Sequence, residues 1–182
     1  MKPQLLYILV AVFIGYNLIR RYVPSFDSIT DKISDTMPKG SIPSRIRSAA
    51  IQRLRRNFSA AHSELLADFL VQQTKHETAN YTSRVFKENN NVCGYKHTDV
   101  SVYIDKTRSG RKSPEGNNYA VYKNVEDSAR ELADWIGRRR SSFDRVITHL
   151  QYATALKANG FYTDTIENYV AGLIHYSKTK TV

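Results

Sequence analysis

Residues Leu5 to Ile19 read LLYILVAVFIGYNLI, fifteen residues without a charge, closed by Lys2 on one side and Arg20 and Arg21 on the other. No later segment of the 182-residue chain repeats that pattern, so the stretch divides the molecule. A fifteen-residue helix spans roughly 23 Å, short of a hydrocarbon core of about 30 Å. Snorkelling of the flanking basic side chains makes up the difference. Tyr7, Tyr16 and Tyr22 fall at interfacial positions, and no small-x-small cleavage pattern follows. The expectation is an uncleaved single-pass anchor over 1–23, held in a lipid bilayer by residues 5–19. Everything that folds in water must then come from the remainder.

Charge supports that division. The chain carries +10, but residues 1–62 hold ten Lys/Arg against three Asp, whereas 63–182 hold seventeen against fourteen. Basic flanks after the apolar run would keep the following domain on the cytoplasmic side by the positive-inside rule. Pro24, Pro38, Gly40 and Pro43 among Ser, Thr and Asp mark a tether. Ile46, Ala50 and Leu54 then share a helical face, surrounded by Arg45, Arg47, Arg53, Arg55 and Arg56. Two readings stand for this basic helix, 45–56: it lies on anionic lipid or wall polymer, or it is the solvated first helix of the domain. The expected organisation is an anchor at 1–23, a basic linker and amphipathic helix at 24–60, and a folded domain at 61–182.

One cysteine, Cys93, excludes an intramolecular disulfide and a cysteine-built zinc site. His62, His76, His97, His149 and His175 show no metal-ligand spacing, so no metal or cofactor is expected. Twelve tyrosines against one tryptophan suit a surface where rings stack and hydroxyls bond, or serve as core filler.

Ser59 can cap a helix through SAAHSELLADFLVQQTKHETA. Leu66, Phe69, Leu70, Gln73 and Glu77 step by three or four and share a face that is apolar first and ends in a carboxylic acid. Where core meets surface, partial desolvation raises a carboxyl's pKa. A general acid for glycosidic cleavage needs that, and the pattern equally describes a helix-terminal glutamate facing solvent. His76 lies about 100° around the helix and is expected to face elsewhere. Further on, Val100, Val102 and Ile104 alternate with Ser101 and Tyr103 as a strand would. Asn124 with Asp127 resembles a capping box, opening a helix with Ala129, Leu132, Ala133 and Ile136 inward and Arg138, Arg139 and Arg140 at its end. A helix over about 142–158 is expected to bury Val146, Leu150, Ala153 and Leu156. Asp164 and Glu167 are expected to cap the last helix, which buries Ile166, Tyr169, Val170, Leu173 and Ile174.

Three motifs appear in order. Glu77-Thr78 is followed by Tyr81-Thr82-Ser83, then by Asn91-Val92-Cys93-Gly94-Tyr95-Lys96. Downstream come Asn118-Tyr119-Ala120-Val121-Tyr122 with Glu126-Asp127-Ser128, and Leu156 through Gly160-Phe161-Tyr162-Thr163-Asp164 with Tyr169. This series resembles the glucosaminidase family of bacterial and phage peptidoglycan hydrolases, which includes flagellar-rod muramidases and autolysins. The resemblance covers about 62–176. It implies an α+β, mostly α fold: a lysozyme-like helical domain with a small β-lobe, here behind the N-terminal transmembrane helix. It also implies a glycosidase acting on peptidoglycan glycan strands at β-1,4 bonds between amino sugars. Glu77 matches the general acid, and Cys93 stands where the family usually has Phe. Asn91 and Gly94 match the turn that shapes the cleft floor. The family's cleft tyrosine falls at Phe161, with Tyr162 beside it.

A second carboxylate is expected in the lobe, with Asp99 and Asp105 placed better than Glu115. Tyr95, Tyr119 and Tyr122 complete the expected substrate-binding set. A lytic transglycosylase, and a lysozyme fold that binds wall polymer or serves a virion membrane without cutting, are the alternatives. Nucleic acid is not expected, because the charge sits in a linker without a basic–aromatic recognition motif. The expected location is a bacterial envelope or the internal membrane of a phage particle.

Overall fold

The computed structural model describes residues 40–178, with the compact unit beginning at Ser41. The expected anchor at 5–19 and most of the tether lie outside the described residues. Among those described, no helix is long and apolar enough to cross a membrane.

Seven helices are described: α1 (Ile42–Leu54), α2 (Ala60–Glu77), α3 (Arg84–Asn89), α4 (Val125–Gly137), α5 (Arg140–Phe143), α6 (His149–Ala158) and α7 (Ile166–Ser177). The mostly helical expectation therefore holds. Ser59 Oγ accepts from the His62 amide at 3.3 Å to start α2, and Asn124 Oδ1 accepts from the Asp127 amide at 2.8 Å to start α4. The core forms where α2 meets its neighbours. Ile46 and Leu54 of α1, Leu66 and Leu70 of α2, Leu132 and Ile136 of α4, Tyr152 and Leu156 of α6 and Leu173 of α7 are all fully buried.

The basic helix is an integral part of this core. Ile46, Ala49, Ala50 and Leu54 are fully buried, and α1 packs chiefly on α4. Its arginines are bound to carboxylates of the same unit. Arg45 makes a two-point bond to Glu126 (2.6 and 2.8 Å), and Arg53 makes another to Asp134 (2.8 and 2.7 Å). Both pairs join residues 81 apart, so the eight-residue step from 45 to 53 matches the step from 126 to 134. Two forked ion pairs about two turns apart thus hold α1 and α4 in one parallel register. Arg47 meets Asp68 and Arg55 meets Glu64. The reading as first helix of the domain describes this segment. Four of the five arginines expected to face an anionic surface face protein carboxylates instead.

The lobe between α3 and α4 contains no strand among the described residues, only antiparallel bridges at Lys96–Tyr119, Ile104–Tyr122 and Lys112–Asn118. The expected strand fails because side-chain hydroxyls capture its amides. Thr98 Oγ1 accepts from Val100 N and Ser101 Oγ from Tyr103 N, which diverts donors a ladder would need. Val100 and Val102 stay almost wholly exposed, and only Ile104 enters a small cluster with Ala120 and Tyr122.

The helix expected over 142–158 is broken. Thr148 Oγ1 accepts from Gln151 N while Gln151 Oε1 accepts from the Thr148 and Ile147 amides, and this capping box starts α6 afresh at His149. Leu150, expected inside, is exposed. In the last helix the cap is Thr165, whose Oγ1 accepts from Asn168 N at 3.2 Å. Ile174 lies at the surface, and Tyr169 and Leu173 are the buried residues of that helix.

Candidate active site

Leu66, Phe69, Leu70 and Gln73 of α2 are buried, and Glu77 is the last helical residue, open to solvent. The helix stops there because Ala79, Asn80 and Tyr81 all take left-handed φ, at 48°, 56° and 65°. Local bonds hold that turn: Asn80 N donates to Lys75 O, Tyr81 N to Thr78 Oγ1, and Thr78 Oγ1 to Thr74 O.

Tyr169, on the first turns of α7, donates its hydroxyl to Glu77 Oε1 at 2.6 Å. Burial of the carboxyl's inner side pushes the Glu77 pKa up, against the opposing effects of the Tyr169 bond and the charge of His76. The negative pole of α2 disfavours a carboxylate at the same place. The Tyr169 phenol is pushed far up by burial and by the Glu77 charge, so it stays a donor. Tyr169 is itself held on two sides. The Tyr162 ring stacks on it at 3.8 Å and 5°, and the His76 ring meets it edge-on at 5.0 Å. His76, expected to face elsewhere, therefore supports the ring that bonds Glu77. Tyr162 is fixed in turn by its hydroxyl bond to Ala153 O, at 3.0 Å.

The turn at 91–95 carries Cys93, on which the Glu77 charge acts. Gly94 has φ +71°, which a side chain would strain. Asn91 was expected to meet substrate, but it is 1% exposed and wholly committed. Its amide donates to Tyr95 O and Ala120 O, and its oxygen accepts from Cys93 N and Tyr95 N, which exhausts its two donors and two lone pairs. It builds the turn and has nothing left for a sugar. Cys93 is buried, and desolvation together with the charges of Glu77 and Glu131 holds its thiol protonated. Glu131, unmarked by any motif, thus acts by its charge on the same thiol as Glu77, from a different helix. Tyr122, also expected at the substrate, is fully buried and donates to Glu131 Oε2 at 2.7 Å. It belongs to the support of the lobe.

The remaining expected residues spread along the lobe. Tyr119 is half-buried under the Lys96 ammonium, 3.9 Å from its ring centre. Asp99 is exposed beside His97, at 3.5 Å. Asp105 accepts from the Thr107 hydroxyl and amide, which lower its pKa. Glu115 is held ionised, down to about 2, first by Ser113 and its own backbone amide and then by Lys96. Phe161 sets its ring against Tyr95 at 6.3 Å and Trp135 at 5.2 Å. The phenol that reaches Glu77 is Tyr169, a residue the motif includes without giving it a role. Gln73, one turn before Glu77, accepts from Tyr152 at 2.6 Å, while its buried amide nitrogen meets no partner among the described residues. Among the described residues, no group of three His, Cys, Asp or Glu could hold a metal ion.

A family model described as glucosaminidase, mannosyl-glycoprotein endo-beta-N-acetylglucosaminidase, matches residues 57–180. A search of curated proteins finds no match. Three solved structures share the fold. A peptidoglycan hydrolase from Sphingomonas sp. A1 aligns with TM-score 0.55 and 17% identity over 75% of this chain and 88% of its own. The catalytic domain of the autolysin Auto from Listeria monocytogenes aligns at 0.50 and 16%, over 85% and 93%. A type VI secretion system effector–immunity complex from Pseudomonas protegens contains a chain that aligns at 0.50 and 17%, over 71% and 92%.

Proposed function

Because this chain belongs to the glucosaminidase family and is a glycosidase, we propose that its substrate is peptidoglycan, cut at β-1,4 bonds between amino sugars with Glu77 as the general acid. The observation that carries this reading is the hydrogen bond from Tyr169 to Glu77 Oε1 on a carboxyl whose pKa burial raises. Similarity in fold to a peptidoglycan hydrolase and to an autolysin domain supports the choice of substrate.

The chemistry follows from the protonation state. Glycosidic cleavage needs a proton on the leaving oxygen as the C–O bond breaks. Glu77 keeps its proton at higher pH than an ordinary glutamate does. With Oε1 engaged by Tyr169, Oε2 is the oxygen that delivers it. The carboxylate left behind is stabilised by the Tyr169 hydroxyl and by His76, the two influences that favour its charged form. The oxocarbenium-like centre on the other side of the bond then takes water, a carboxylate of the lobe or the substrate's own acetamido oxygen. Asp99, Asp105 and Glu115 are the carboxylates of the lobe, and hydrogen bonding holds Asp105 and Glu115 ionised.

The test is a zymogram on bacterial walls with the wild type and Glu77→Gln, followed by mass spectrometry of the digested murein. Lysis by the wild type and none by a folded variant supports the assignment, and equal lysis overturns it. An anhydro end among the products would identify a transglycosylase, and absence of lysis by the wild type would leave a wall-binding module. The apolar run 5–19 supports a further part of the proposal, that the enzyme is membrane-attached in an envelope or virion. Release by alkaline carbonate washing, without detergent, would argue against attachment.

A further inference from the structure

Two aromatic pairs meet at the neighbouring residues Phe161 and Tyr162. Tyr169 stacks on Tyr162, the adjacent Phe161 meets the indole of Trp135 edge-on at 5.2 Å, and the Arg139 guanidinium lies over that indole at 4.0 Å. Trp135 is the chain's single tryptophan and is half-buried. We propose that Trp135 and Arg139 form a sugar subsite of this enzyme for an amino sugar bearing a carboxylate, whether the acid is carried on the sugar itself or on an attached peptide. The inference rests on the glycan-cutting reading of Glu77.

The arginine is the telling residue. Arg45 and Arg53 pair with carboxylates on α4, while Arg130 and Arg140 pair with Asp127 and Asp144. Arg139 is bound differently: its contacts are the π face of Trp135 and, through Nη1, the Trp135 carbonyl at 3.3 Å. Neither neutralises its charge. With Nη1 on the Trp135 carbonyl, the guanidinium keeps further N–H donors of the kind that suit a carboxylate. The C-terminal end of α4 favours a cation here in any case. Exposed Arg138 already serves that purpose, and the i,i+4 spacing at the end of α4 brings the Arg139 guanidinium over the Trp135 indole. Phe161 and Trp135 are both half-buried, and their exposed parts offer apolar faces on which hexose C–H groups pack. The pair Phe161–Trp135 supplies the surface, and Arg139 supplies the preference for acid.

The single tryptophan makes this measurable, since its fluorescence reports on one position. The experiment uses the full chain carrying Glu77→Gln, so that saccharide is bound without turnover. Three probes are titrated by fluorescence and calorimetry: chitotetraose, which is neutral; a peptide-free murein tetrasaccharide, which carries lactyl carboxylates; and the same glycan with stem peptides. Emission should change with an acidic glycan, bound about tenfold more tightly than chitotetraose. Adding Arg139→Gln should cut that preference to within about twofold and leave chitotetraose binding unchanged. A preference shown by the peptide-free glycan places the acid on the sugar, and one confined to the third probe places it on the peptide. Binding recorded by calorimetry with silent emission, no preference for acid, or a preference that survives Arg139→Gln overturns the subsite. Trp135→Phe should weaken all three probes by calorimetry. Should that variant fail to fold, as its thermal melt would show, Arg139→Gln carries the test alone. The two readings fail separately. Wild type that releases no murein fragments sinks the assignment of function, whereas active wild type with a silent Trp135 sinks only the subsite.

Discussion

The Tyr169 hydroxyl lies 2.6 Å from Glu77 Oε1, joining residues 92 apart in sequence at the end of α2 and near the start of α7. The bond opposes burial in setting the acid's pKa, so its removal has a defined sign. In Tyr169→Phe, an influence that lowers the Glu77 pKa is lost and the pKa rises further. The alkaline limb of the pH–rate profile should move to higher pH. The rate on its plateau should fall about tenfold or more, because the carboxylate formed on proton delivery loses a charge-assisted donor. A lower plateau with an unmoved limb would mean that Tyr169 acts only in packing.

The raised pKa also taxes stability. Unfolded, Glu77 releases its proton in the ordinary glutamate range, whereas the folded chain keeps it to higher pH. Between those points the native state binds more protons than the unfolded one, so its stability falls as pH rises through that window. Glutamine does not titrate and can still accept the Tyr169 bond. Glu77→Gln should therefore melt higher than the wild type at neutral pH, and the gain should vanish below the ordinary glutamate range. Thermal melts across pH decide this, and a difference that does not depend on pH would refute it.

Ending α2 at Glu77 takes three consecutive left-handed residues, none of them glycine. Each costs about 1–2 kcal/mol relative to a right-handed conformation. Ala79 is exposed and its side chain bonds nothing, so Ala79→Gly relieves that cost at the expense of unfolded-state entropy of about 0.4–1 kcal/mol. The expected net gain is about 0.5–1 kcal/mol in urea unfolding, with cleavage unchanged. A loss of stability would show that the turn is held by something other than its backbone.

Sequence made the helical frame legible wherever the signal was local. The Ser59 and Asn124 caps, the buried stripe of α2 and the four inward residues of α4 are set by neighbours within a turn or two. Long-range pairing was not legible. Arg45 and Arg53 look like a basic face until Glu126 and Asp134 arrive 81 residues later. In the lobe, the alternation of Val100, Val102 and Ile104 is a true pattern overridden by two hydroxyls that compete for amides. Glu77 is marked in the sequence by its place at the end of a stripe and by its motif. The motif contains Tyr169 and Cys93 but not the bond of that phenol to Glu77, and it does not contain Glu131, since only packing brings α2, α4, α7 and the 91–95 turn together.

Asn91 separates what a motif residue does for the fold from what it does for the substrate. Its side chain makes four hydrogen bonds, all to backbone of the turn and the lobe. Asn91→Ala leaves the Ala120 carbonyl and the Cys93 and Tyr95 amides to find other partners, while the Tyr95 carbonyl keeps the Ala120 amide, at about 1–3 kcal/mol for each group left buried and unsatisfied. Activity should therefore disappear together with the cooperative melt, or with a melting temperature lowered by many degrees. Glu77→Gln should lose activity on a fold as stable as the wild type or more so. Calorimetry beside a murein-release assay distinguishes the two. An Asn91→Ala variant that melts like the wild type yet cleaves nothing would return this residue to the substrate-binding surface.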